Sequence, residues 1–103
     1  MLTIRESCGV ALALALVGCG GGVTPGMVAA AQKRWPDSSE ASLEEGRSLF
    51  TKKCKACHSL PNPKDHTPEE WTKVLPKMGK LAELDAAGRE RVLRYVIAAR
   101  EGG

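Results

Sequence analysis

Apolar positions follow two patterns along this chain. Between Glu6 and Lys33 no charge occurs, and Cys8 to Gly18 is an uncharged run with no useful periodicity. Beyond Ser42 the apolar residues recur at helical spacing. Ser42-Leu43-Glu44-Glu45 has the form of a capping box and predicts a helix that carries Leu49 and Phe50 and ends near Cys54–Cys57. Thr67-Pro68-Glu69-Glu70 is a stronger start, with proline at the first helical position, where its missing N–H costs nothing. Trp71, Val74 and Leu75 then share a face that Met78 continues, and Pro76 is expected to end or kink the helix. Asp85 caps a third helix, whose inner face is Val92, Tyr95, Val96 and Ala99, widened by Leu93 and Ile97. Nothing alternates like a strand. The expected fold class is all-α, with three main helices.

The first run is too short to span a bilayer, which takes about 20 residues. Arg5 ahead of it and Leu16-Val17-Gly18-Cys19 at its end resemble a bacterial lipoprotein signal, in which cleavage precedes a cysteine that takes lipid. Residues 1–18 are therefore expected to be removed, leaving Cys19 as a lipidated anchor. Export follows: the body would face the periplasm, held to a bacterial membrane. Glycine rather than aspartate after Cys19 favours the outer membrane over the inner. Residues 19–41, with Gly20-Gly21-Gly22, Pro25 and Pro36, are expected to be a flexible tether. A chain of that length reaches about 25 Å on average. Within it Met27 to Trp35 have the makings of a two-turn helix. The folded body is then 42–103.

With 103 residues, 43% apolar and 26% charged, the chain is a single small domain, neither a multidomain enzyme nor a disordered tail. It has four aromatic residues in all, which makes a thin core, and cores this small lean on a staple. Cys54-Lys55-Ala56-Cys57-His58 offers one. In C-x-x-C-H the two thiols bond covalently to the haem and the adjacent imidazole takes the iron as proximal ligand. A thioredoxin-like pair would require a βαβ setting, absent here. Half a zinc site would require two further ligands, and the remaining histidine, His66, is poorly spaced. The reading is one covalent haem c on Cys54 and Cys57, with His58 as axial ligand.

With these residues in hand, the stretch 42–103 resembles a class I-like monohaem cytochrome c domain. The resemblance rests on Gly46 to Phe50 ahead of the haem motif, Met78 beyond it, and Val92 to Ile97 with Tyr95 in the last helix. Met78 follows His58 by only twenty positions, and Trp71, Val74 and Met78 match a compact subtype. The resemblance implies a fold wrapped around the haem, with the first and last helices crossing at the small Gly46 and Met78 as distal axial ligand. His66 is the competitor for that place, and Met27 a remote one. A backbone carbonyl within Pro61-Asn62-Pro63 would hold the second nitrogen of His58.

What the resemblance implies is electron transfer between respiratory partners, with no substrate chemistry and so no enzyme. A haem subunit fixed in an oxidoreductase complex, or a ligand-binding or peroxidase-like site if Met78 does not ligate, are the alternatives. Lys52, Lys53, Lys55, Lys64, Lys73, Lys77 and Lys80 surround the motif. They suit redox partners with acidic docking surfaces as well as they suit plain solvation. An exported, anchored body is expected to meet no nucleic acid, and it is expected to be monomeric.

Overall fold

A computed structural model describes residues 22–54 and 60–103. All regular structure among these is helical: α1 (Pro25–Arg34), α2 (Glu40–Leu49), a π-helical turn (Phe50–Cys54), a 3-10 turn (Pro63–Asp65), α3 (Pro68–Leu81) and α4 (Ala86–Gly102). The last helix is the spine, against which α1, α2 and α3 all pack.

The crossing of α2 on α4 is set by Gly46. A Cβ at that position would run into the carbonyl oxygen of Arg91 and lie 2.9 Å from the Tyr95 Cβ. Only a residue without a side chain lets the two backbones come this close. The crossing buries Leu43 on one side and, one π-turn further on, Phe50 and Cys54 on the other. Glu45, expected to close a capping box, instead pairs with Arg91 across the crossing at 3.2 Å.

Helix α2 begins three residues before the predicted start. Ser39 is the N-cap, accepting from the Ser42 N–H at 3.1 Å, while the Ser42 hydroxyl accepts from the Ser39 N–H at 3.1 Å. Ser42 thus stands at the third helical position, doing what a glutamate does in the usual capping box. The starts of α3 and α4 fall as expected, at Thr67 with Glu70 and at Asp85.

Pro76 does not end α3, which runs on to Leu81. The proline withdraws one donor from the Thr72 carbonyl, but Thr72 is exposed, and Leu75 and Gly79 on either side are buried. Packing overrides the local preference. The helix then stops in a paired C-terminal turn. The Leu84 N–H reaches back to the Gly79 carbonyl at 2.8 Å and the Glu83 N–H to Lys80 at 3.0 Å, with Glu83 at φ 62°. That left-handed position usually takes glycine; here the buried Leu84 side chain holds it.

The largest departure from expectation lies in 19–41. From Val23 onward this segment is packed, not free. Val23, Met27 and Ala31 form an apolar cluster with Leu43 and Ala98, and α1 crosses α4 where Gly26 meets Gly102. Thr24 caps the helix, Arg34 bridges to Glu101 at 3.2 Å, and the Arg94 guanidinium lies 5.1 Å from the centroid of Trp35. The local composition, rich in alanine, glycine and proline, gave α1 no strong amphipathic signature; its two buried residues become legible only against α4.

Three outcomes test this packing. Gly46→Ala should cost at least about 2 kcal/mol in denaturant unfolding, because the clash is with backbone. Gly79→Ala should stay within about 1 kcal/mol, since only the flexible Arg89 side chain must move and the helix gains propensity. Met27→Ala should cost about 2–3 kcal/mol by the same measurement; a free tether would show no change.

Candidate functional site

Cys54 ends the π-turn and is buried among Phe50, Trp71, Leu75, Leu84, Val92, Val96 and Ile97. Phe50 and Cys54, at the two ends of this turn, lie on the same apolar surface. Thr51 caps the irregularity by donating its hydroxyl to the Arg47 carbonyl at 2.7 Å. Single π-turns in helices recur at functional sites. Cys57 and His58 lie outside the described residues, as do Lys55 and the expected lipid-bearing Cys19.

Trp71 is the anchor of this region. Its ring meets Phe50 edge-on at 6.5 Å and His66 edge-on at 4.8 Å, and its Nε1–H donates to the Pro63 carbonyl at 2.8 Å. The polypeptide returning from the C-x-x-C-H segment is thereby pinned to α3. Asn62 holds the return in shape, accepting from the Lys64 N–H at 2.9 Å, and Asp65 accepts from the Asn62 N–H at 3.0 Å. Of the three carbonyls proposed to orient His58, Pro63 already accepts from Trp71 and Asn62 from the Asp65 N–H. Phe50 also lies 5.6 Å from Tyr95, whose burial pushes its phenol above the ordinary value.

The two competing ligands lie at opposite ends of α3. His66 precedes the helix, packed on Trp71, with its Nδ1 3.8 Å from Glu70 and its carbonyl accepting from Arg100 Nε at 2.9 Å. Met78 lies about 15 Å further along the axis from Pro68, at a rise of about 1.5 Å per residue. It is half-buried. Val74, Met78 and Leu81 follow one another at helical spacing and form a stripe that becomes more exposed toward the end, with Leu81 71% exposed. Leu60, just after the motif, is 41% exposed. Beside the stripe runs a second one, Lys73, Lys77 and Lys80, all exposed. Lys52 and Lys64 are also exposed and Lys53 is half-buried.

The Cys54 thiol lies in an apolar surface, the Met78 thioether sits on the neighbouring helix, and apolar side chains beside it lack full protein cover among the described residues. His66 was not expected to be tied to Trp71, Glu70 and Arg100; the Arg100 contact spans 34 positions and has no local sequence signal. Among the described residues no group of three or more His, Cys, Asp or Glu side chains is placed to hold a metal ion. None of their helices is long and apolar enough to cross a membrane. Comparison with protein-family models, curated proteins and solved structures gave no match.

Trp71→Phe should keep the ring packing and lose the bond to Pro63. It is expected to cost about 1 kcal/mol, since a part-buried carbonyl loses its donor. Amide exchange should quicken selectively across residues 62–66, read by hydrogen-exchange mass spectrometry.

Proposed function

We propose that this protein is a lipid-anchored monohaem cytochrome c that carries single electrons between respiratory partners outside the cytoplasm. The observation that carries the reading is the C-x-x-C-H sequence set directly on a π-turn that buries Cys54 against Trp71 and α3. Cys54 and Cys57 would hold the haem c covalently, His58 would be the proximal ligand and Met78 the distal one. When bound, the haem iron supplies the one-electron couple, and a thioether ligand raises its potential.

The chain's own part is to bind, orient and insulate. Phe50, Trp71, Leu75 and Leu84 keep water from the Cys54 side. The bond from Trp71 to Pro63 fixes the chain leaving the motif. Paired backbone bonds at Ala82 to Leu84 end α3 one turn after Met78 and so hold its position along the helix. The reading assigns no catalytic residue.

The lysine stripe Lys73, Lys77 and Lys80, next to the apolar one, suits redox proteins with acidic docking surfaces. Contacts of that kind are small and brief, below about 1,200 Å², and their rates fall as salt rises. Nucleic acid has no part in this reading, and the working form is a monomer. With Cys19 read as the lipidated residue after removal of 1–18, the body would sit on a bacterial membrane facing the periplasm, with the outer membrane favoured.

The visible spectrum tests the ligand set. The ferric holoprotein should show the weak far-red charge-transfer band of thioether ligation. Met78→Ala should abolish it and lower the midpoint potential in a redox titration, whereas His66→Ala should preserve the band. If His66→Ala removes the band and Met78→Ala does not, the assignment of the distal ligand is wrong. An absent covalent haem in the purified protein would refute the function.

A further inference from the structure

The packing of α1 changes what an anchor at Cys19 would do. We propose that the outer face of α1 lies against the bilayer, so that the body is held on the membrane surface in one orientation and does not swing above it. The inference rests on reading Cys19 as the lipid-bearing residue. Val23 is already buried, with its N–H donating to Glu44 at 3.2 Å. Only Gly20, Gly21 and Gly22 separate it from Cys19. Four residue steps span at most about 14 Å even fully extended. A tether of 19–41 would have averaged about 25 Å and stretched much further.

The first packed residues are therefore within that distance of the lipid, and they belong to α1. This helix contains no acidic residue and carries Lys33 and Arg34 in its last turn. Its outer positions are Pro25, Ala29 and the polar Gln32, all exposed, with Lys33 exposed beyond them. Val23, Pro25, Val28 and Ala29, with the polar Thr24 and Gln32 among them, line an open groove of about 380 Å³ beside α1. The exposed Glu40 also lines it. The arrangement is apolar near the anchor and cationic a helix length away, which matches an interface with acyl chains below and anionic headgroups around it.

The orientation cannot be lost by rotation of α1 alone. Helix α1 is locked to α4 by the Gly26–Gly102 crossing, where a Cβ at Gly26 would lie 2.7 Å from the Gly102 carbonyl oxygen, and by the Arg34–Glu101 bridge. Cys54 belongs to the other apolar cluster, to which α1 contributes no buried residue. The redox site would thus be presented by a body of fixed attitude, to partners in or on the same membrane.

The test uses the full lipidated holoprotein in vesicles of phosphatidylethanolamine and phosphatidylglycerol that also carry a nickel-chelating lipid headgroup. Nitroxide labels are placed singly by Ala29→Cys on α1 and by Ala87→Cys at the start of α4. Ala87 is about 22 Å along α4 from the Gly102 crossing at a rise of about 1.5 Å per residue, so the label at 29 should relax at least about fivefold faster than that at 87. Inserting ten glycine and serine residues between Gly22 and Val23 should bring the two rates together. Equal rates in the uninserted protein, or a faster rate at 87, would overturn the proposal while leaving the anchor intact; so would a ratio that the insertion leaves unchanged. Cys19→Ala should release the protein from the vesicles. If it does not, or if the unaltered protein never partitions to them, the anchor reading fails and takes this proposal with it.

Discussion

The contact of Gly46 with the backbone of α4 is the constraint on which the rest of the structure depends. Because a Cβ there would strike the Arg91 carbonyl oxygen, the depth of the α2–α4 crossing is set by the main chains and not by side-chain packing. With the crossing fixed, Leu43 falls on one side of α4 and Phe50 on the other. Phe50 can then touch both Tyr95 and Trp71, and Trp71 in turn holds the chain at Pro63. The π-turn that follows keeps Cys54 on the buried side. The start of the C-x-x-C-H segment and the chain that returns from it are both placed by that one approach.

The two apolar clusters divide the labour along α4. One, built from Phe50, Trp71, Leu75, Leu84 and the inner face of α4, surrounds Cys54. The other, built from Val23, Met27, Ala31, Leu43 and Ala98, attaches α1. Trp35 and Tyr95 flank both, so the attachment of α1 is mechanically continuous with the candidate site. A segment of loose composition thereby becomes part of the domain, enlarging a core that the predicted three helices would have left thin. Each small-residue crossing trades side-chain burial for close main-chain contact, which a chain with four aromatics can use to advantage.

Much of the helical architecture was legible beforehand because its signals are local. Thr67 with Glu70 and Asp85 with Gly88 are side-chain-to-backbone bonds made within one turn, and such bonds can be read from adjacent letters. The face of α4 was readable from its period. Helix α2 starts at Ser39 and not at Ser42 because two serines three apart offer overlapping caps: Ser42 closes the box on Ser39, and Glu45 is taken by Arg91. Pro76 does not end α3 for a related reason: the local penalty is outweighed by Leu75 and Gly79 packing on either side.

At the candidate site, the sequence by itself determined the chemistry on offer: a pair of cysteines two apart with an adjacent histidine, a methionine at helical spacing from a tryptophan, and lysines around them. Those are properties of residue type and spacing, and they need no tertiary contact. Only the tertiary structure decided that α1 is part of the body, that His66 is tied to Trp71, Glu70 and Arg100, and that α3 carries Met78 through Pro76 without a break. Each of these depends on partners distant in sequence or on a packing energy that exceeds a local preference. A pattern confined to neighbouring residues does not contain that information.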